Sequence, residues 1–365
     1  MPNSAEVNRS SLTPLATSSW LGNPTDLPLN WGHGTTPSPH RSPPVNRLSR
    51  AVLRLFAAPR LNIREDYEKV RRMQRRLAAL LMPPYRTSRW QPLPCDERLQ
   101  VPVRVFQPKV KRREDVLVFF HGGGWVTGDI DTYTPACVRM AELTGCAVAS
   151  VNYRLAPEHP FPAGLEDCYD VARVLLDEPH RVGAADAGQI ILVGDSAGGN
   201  FAAVISSLLR ERGHRPPDRQ ILIYPVTHWD HDPETSPFAS VRSHGGDYRL
   251  TNAEVEDYFD LYVPDRRQRR DPHVAPLLAP DLSGQPATLV ITAELDLLCD
   301  EGEAYGRALA DAGNTVQTYR VEGALHGFIS LPRFSQSVQD AYEVINAFLD
   351  GDPVEGEHCT LREPT

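Results

Sequence analysis

The chain has 365 residues, a length that one large α/β domain accommodates as readily as two smaller domains. Hydrophobic residues at 41% and charged residues at 23% are ordinary globular proportions, and they allow a sizeable core. A net charge of -9 argues against a general nucleic-acid binder, whose footprint is basic.

Cysteines stand at 95, 137, 146, 168, 299 and 359 without a Cys-x-x-Cys pair. That spacing suits neither a zinc site nor a disulfide scaffold, and buried free thiols are expected. There is no run of 18 apolar residues to span a membrane, and the N-terminus lacks the layout of a secretory signal. A cytoplasmic location is the expectation, with a weak organellar-transit reading left open by the Ser-rich, acid-poor start. Nothing in the pattern specifies an oligomeric state.

Residues 1–42 are rich in Pro, Ser and Thr and poor in aliphatic side chains, so they are expected to be disordered. Val45, Leu48, Val52, Leu55 and Phe56 recur at helical spacing until Pro59. A second stripe of Ile63, Tyr67, Val70, Met73, Leu77 and Leu80 follows Asn62, with Glu65 three residues on, and Pro83 and Pro84 end it. Such a stripe should be buried. Residues 41–76 carry ten Arg and one Lys against three acids, a balance of +8. A solvated basic face is expected there, with attraction to an anionic lipid or substrate as the alternative.

From about residue 99 the pattern changes. Short apolar or β-branched runs occur at Val101–Phe106, Val116–Phe120, Ala147–Val151, Ile190–Val193, Ile221–Tyr224, Leu289–Ile291 and Val316–Val321. Helical stretches separate most of them, including Tyr133–Leu143, Leu165–Leu176, Phe201–Arg212, Gly302–Ala312 and Ser337–Leu349. Buried strands alternating with helices predict a mostly parallel α/β sheet flanked by helices. Residues 226–272 interrupt this rhythm with a long polar segment that has its own helix near 252–262, as a lid or binding segment does. Residues 351–365 are expected to form a frayed tail.

Chemistry concentrates at three places. The strand ending at Val193 runs into Gly194-Asp195-Ser196-Ala197-Gly198-Gly199 and straight into a helix. That is Gly-x-Ser-x-Gly in a strand-turn-helix setting, where a tight turn exposes the serine hydroxyl. His121-Gly122-Gly123-Gly124-Trp125 follows the strand Val116–Phe120. Acyl transfer passes through an oxyanion that needs backbone N–H donors, and Gly122, Gly123 and Ala197 are assigned to it. His121 is expected to pin this loop rather than act as a base.

A serine at its free pKa needs a base that is itself oriented by a carboxylate. Both partners should follow the serine on loops at the carboxyl ends of strands. Asp296 follows one such strand and His326 follows the last, so Ser196, Asp296 and His326 are the candidate catalytic set. Glu294 and Asp300 are rival acids, one expected within a strand and the other leading a helix. Arg154 and Glu158 are expected to pair with each other, Glu166 and Asp167 to start a helix, and Asp195 to be a turn former.

The sequence resembles the hormone-sensitive-lipase-like family of α/β-hydrolase esterases, the bacterial acetyl-esterase and arylacetamide-deacetylase-like group. The resemblance covers about residues 85–350. It rests on His121–Trp125, Asn152–Pro162, Gly194–Gly199, Asp296 with Asp300-Glu301-Gly302, and His326-Gly327-Phe328. It departs from the family at Leu297, where proline usually follows the acid.

The resemblance implies an α/β-hydrolase fold over residues 85–350, with a helical cap built from residues 43–84 and the insertion at about 226–272. It implies hydrolysis of small-molecule short- to medium-chain acyl esters without metal or cofactor. Amide or N-acetyl hydrolysis by the same residues is an alternative, as is a third use, acyl transfer in a pocket that excludes water. A catalytically inactive small-ligand receptor is the alternative from another class; such proteins lose the histidine, which is present here.

Overall fold

The computed structural model describes residues 62–81, 88–94, 100–183, 188–246, 248–353 and 360–362. The extension 1–42 and the helical pattern Val45–Phe56 lie outside these residues, as do Cys95 and Cys359. Four cysteines, Cys137, Cys146, Cys168 and Cys299, are buried and form no disulfide among the described residues.

In chain order the elements are α1 (Ile63–Leu81), β1 (Ser88–Pro94), β2 (Gln100–Phe106), β3 (Val116–Phe120), α2 (Ile130–Thr144), β4 (Ala147–Val151) and α3 (Ala163–Asp177). There follow β5 (Ile190–Asp195), α4 (Ala197–Glu211), β6 (Arg219–Ile223), α5 (Ala239–His244), α6 (Asn252–Tyr262) and β7 (Ala287–Leu295). The chain closes with α7 (Cys299–Asp311), β8 (Val316–Leu325), α8 (Gln336–Asp350) and β9 (Thr360–Arg362).

Among the described residues nine strands form one sheet in the order β1-β2-β4-β3-β5-β6-β7-β8-β9. The run from β4 to β8 is parallel, and β1, β2 and β9 add antiparallel edges. Central β3, Val-Leu-Val-Phe-Phe, is buried at every position, because helices cover both faces of a parallel sheet. One face packs against α3, α4 and α7 through side chains such as Leu165, Phe201 and Tyr305. The other packs against α2 and α8 through Ile130, Cys137, Val338 and Ile345.

Helix ends follow local chemistry. Asp129 and Thr132 form a reciprocal capping box on α2, which stops at Gly145 with φ 71°. Thr251 and Glu254 do the same for α6. Asn62 Oδ1 accepts from the Arg64 N–H at the start of α1.

Three expectations are corrected. The tail is not wholly frayed, since Thr360–Arg362 pairs with Val316–Thr318. The stripe on α1 is only partly covered: Ile63 is buried and Tyr67 and Val70 pack on the core, whereas Met73 and Leu77 are 39% and 57% exposed. Of the basic segment 41–76 only residues 62–76 are described, and there the face is solvated and ion-paired, with Arg64, Arg72 and Arg75 exposed. Arg64 pairs with Asp257, Arg75 with Asp129, and Arg71 with Glu158 at 2.8 Å. Arg71 therefore takes the acid expected for Arg154, and Arg154 instead grips Asp167 through Nε and Nη2 at 2.7–3.0 Å. Glu166, in the first turn of α3, pairs with Arg212.

Candidate active site

Four loops at the carboxyl edge of the sheet converge. Ser196 follows β5, Asp296 follows β7, His326 follows β8, and the glycine loop 121–125 follows β3. Crossover connections of a parallel sheet bring these loops to one edge, where ligand sites of open α/β sheets lie.

Ser196 adopts φ 55° and ψ -119°, outside the regions open to an L-residue without strain. A conformation of this kind costs about 1–3 kcal/mol and persists only where its surroundings enforce it. Those surroundings are crowded backbone. A Cβ on Gly198 would lie 2.0 Å from the Phe120 carbonyl oxygen, and one on Gly194 would lie 2.1 Å from that of Gly198. Glycine at both positions lets β5, the turn and α4 meet closely enough to force the serine outward.

Ser196 Oγ lies 2.9 Å from His326 Nε2, and His326 Nδ1 lies 2.6 Å from Asp296 Oδ2. The Asp296 side chain is fully buried, and its Oδ1 accepts from the Leu298 N–H at 3.1 Å. The ring of Tyr224 packs against His326 with centroids 4.8 Å apart. The structure thus brings Ser196, His326 and Asp296 into one hydrogen-bonded chain. It does not bring in the rival acids. Glu294 lies within β7 and accepts from the Gly323 N–H, and Asp300, in the first turn of α7, accepts from the Ser240 N–H.

The expected set of oxyanion donors is corrected at Gly122. Its N–H donates to Asp195 Oδ1 at 2.8 Å and is therefore occupied. Gly123 and Ala197 retain N–H groups with no protein acceptor among the described residues. Gly123 sits at φ 114°, and a Cβ there would lie 2.3 Å from the Thr127 carbonyl oxygen. Only glycine fits that approach.

Asp195 is the hub of this corner. Besides Gly122, it accepts from the hydroxyls of Tyr133 at 3.2 Å and Tyr224 at 3.3 Å. Burial pushes its carboxyl up to about 6, against the opposing pull of the Gly122 N–H. His121 lies behind the loop, stacked on Tyr153 with centroids 4.3 Å apart. Its Nδ1–H donates to the Gly122 carbonyl at 2.8 Å, and burial pushes its pKa down to about 4. A neutral, buried ring without contact to Ser196 fits a pin, not a base.

The insertion and α1 both seat on the glycine loop. Trp125 stacks on Tyr262 of α6 at 4.4 Å, and the Tyr258 ring lies over Gly124. Arg71 of α1 donates to the carbonyls of Val126 and Ala156, each at 2.7 Å. Buried Glu301 fastens the start of the insertion: it accepts from the N–H groups of Thr227 and His228 and meets His231 Nε2 at 2.8 Å. Sequence spacing carried no signal for this contact, nor for Arg154 with Asp167. A separate cavity of about 220 Å³, lined by Ser240, His244, Glu294, Cys299 and Arg320 among others, contains none of the three catalytic candidates.

No helix among the described residues is long and apolar enough to cross a membrane. Residues 117–330 match a family described as having the alpha/beta hydrolase fold. The chain is 32% identical over 321 residues to a carboxylic ester hydrolase, LipN, of Mycobacterium tuberculosis, covering 86% of this chain and 83% of that protein. It is 33% identical to an ethyl acetate hydrolase of Pseudomonas putida over 67% of this chain and 75% of the relative. A solved esterase of Pyrobaculum calidifontis superposes with a TM-score of 0.74 at 33% identity, over 82% of this chain and 97% of that one. Sheet order, serine turn and sequence likeness agree, and the chain belongs to the hormone-sensitive-lipase-like family of α/β-hydrolases.

Proposed function

We propose that this protein is a carboxylic ester hydrolase that works through an acyl-enzyme on Ser196, and that its substrates are short- to medium-chain acyl esters. The observation that carries the reading is the chain Ser196 Oγ, His326 Nε2, Asp296 Oδ2, with links of 2.9 and 2.6 Å. Relatives named as carboxylic ester, ethyl acetate and aryl ester hydrolases support the reaction class.

In this mechanism Ser196 Oγ attacks the ester carbonyl as its proton passes to His326 Nε2. Asp296, accepting from Nδ1–H, holds the tautomer that leaves Nε2 free and stabilises the imidazolium that forms. The carbonyl oxygen becomes an oxyanion, for which the N–H groups of Gly123 and Ala197 are the available donors. His326 then protonates the leaving alkoxide. Water, deprotonated by the same nitrogen, cleaves the acyl-serine and returns the enzyme.

Helices α1 and α6, both anchored on the glycine loop, form the proposed cap and limit the acyl chain. A panel of p-nitrophenyl esters tests the substrate range. Acetate or butyrate should be cleaved at least tenfold faster, by kcat/KM, than palmitate. Equal or faster cleavage of palmitate would contradict the short-chain reading.

A further inference from the structure

Arg249 lies between α5 and α6, two residues before the Thr251 cap that starts α6. Its loop is held by the Asn252 N–H on the Gly245 carbonyl and by Asn252 Nδ2 on the Val241 carbonyl at 3.1 Å. The guanidinium lies against Gly327, the residue after His326. A Cβ at Gly327 would meet Arg249 Cζ at 3.2 Å and both terminal nitrogens at 3.4 Å.

Its charge reaches both sides of the cleft. It acts on the phenols of Tyr224 and Tyr133, beneath His326 and Ser196, and on that of Tyr258, over the glycine loop. Within the same insertion Arg266 and Arg269 pair with Glu256 and Asp260, Arg242 donates to the Ser236 carbonyl and Arg270 lies over Trp229. Among the described residues no carboxylate pairs with Arg249. The two acids nearest the reaction are engaged, Asp296 by His326 and Asp195 by Gly122, Tyr133 and Tyr224.

The guanidinium is exposed and lies beside the histidine loop, and its planar fork of donors matches the geometry of a carboxylate. We propose that Arg249 receives a carboxylate carried by the substrate ester, so that the enzyme favours esters bearing a second, anionic group. This rests on the ester-hydrolase reading above and adds the substrate's charge to it. A carboxylate could sit on the acyl or on the alcohol side, and matched substrates separate the two.

The test compares p-nitrophenyl pentanoate with mono-p-nitrophenyl glutarate, and phenyl acetate with 4-carboxyphenyl acetate. All four are assayed on the wild type and on Arg249→Gln, Arg249→Glu and Arg249→Lys. The expected result is a wild-type kcat/KM ratio favouring the anionic ester in at least one pair. That ratio should fall about tenfold in Arg249→Gln, fall further in Arg249→Glu, and be partly retained in Arg249→Lys. It should also shrink in 0.5 M NaCl, because the guanidinium is exposed. The responding pair identifies the side that carries the charge. If the neutral esters are cleaved and Arg249→Gln leaves both ratios within twofold of wild type, the Arg249 assignment is wrong and the esterase reading stands. If the wild type cleaves none of the four, the esterase reading itself fails.

Discussion

The backbone N–H of Gly122 donates to the carboxylate of Asp195 at 2.8 Å, joining the glycine loop to the serine turn. The bond spans 73 residues of sequence and removes one donor from the oxyanion set. It also lowers the pKa of Asp195, but burial beneath Ser196 outweighs it and raises the carboxyl to about 6 from an ordinary 3.8.

That shift has a sign. A carboxyl raised in the native state favours the protonated fold, so its stability contribution is full below about pH 3.8 and is lost as pH rises through 6. Two pH units correspond to about 3 kcal/mol. An asparagine at 195 keeps an oxygen for the Gly122 N–H without the buried charge. Asp195→Asn should therefore gain several degrees in Tm relative to wild type on going from pH 4 to pH 8. A Tm difference that does not change with pH would contradict the assignment.

The acid of the candidate triad is tested by three single variants. Asp296→Asn can no longer stabilise the imidazolium or select the tautomer, and a loss of about ten-thousandfold in kcat is expected. Glu294→Gln and Asp300→Asn, whose carboxylates bond Gly323 and Ser240, should lose less than tenfold. Steady-state kinetics on p-nitrophenyl butyrate decides. A dead Glu294→Gln with an active Asp296→Asn would reverse the assignment.

Backbone strain at Ser196 predicts an order of stability between two inactive variants. Glycine accepts φ 55° and ψ -119° readily and alanine does not, so Ser196→Gly should exceed Ser196→Ala in stability by about 1 kcal/mol. Urea unfolding of both proteins measures this. Elsewhere the usual entropy cost makes glycine the weaker residue, so equal or reversed midpoints would mean that the turn is unstrained.

Arg71 joins α1 to the glycine loop and is largely buried, bonding two carbonyls as well as Glu158. Arg71→Met keeps the stem but orphans both carbonyls, and a cost of about 2–4 kcal/mol is expected. If α1 belongs to the cap, the variant should also lose discrimination between acyl lengths. Two truncations extend the test. A chain starting at Pro43 should keep the wild-type preference, whereas one starting at Pro83 should lose it and aggregate. An unchanged preference in the Pro83 chain would show that α1 is no cap.

The sheet was legible because its signals are local. Val116–Phe120 is an unbroken apolar run and Ala147–Val151 is interrupted only by Ser150, and both appear as β3 and β4 with the expected bounds. Their order in space follows from parallel crossovers. The glycine turn and the strands expected at Leu289–Ile291 and Val316–Val321, which extend to Leu295 and Leu325, likewise point to Ser196, Asp296 and His326, which meet in the structure. Pairings across long separations left no such trace. Arg71 with Glu158, Arg154 with Asp167 and Glu301 with His231 depend on which loops face each other. Strand β1 carries two prolines, Pro92 and Pro94, which suit an edge but mask the alternation that marks a strand. Gly122 was assigned by its motif, and only the placement of Asp195 shows that its N–H is taken.

The central claim is that Ser196 is the nucleophile, and covalent labelling with a fluorophosphonate tests it most directly. Intact-mass and peptide mapping of the wild type should find one adduct, on Ser196, forming in step with loss of esterase activity. Ser196→Ala, folded by circular dichroism, should take up no label. An adduct on another residue, or full labelling of Ser196→Ala at the wild-type rate, would contradict the account.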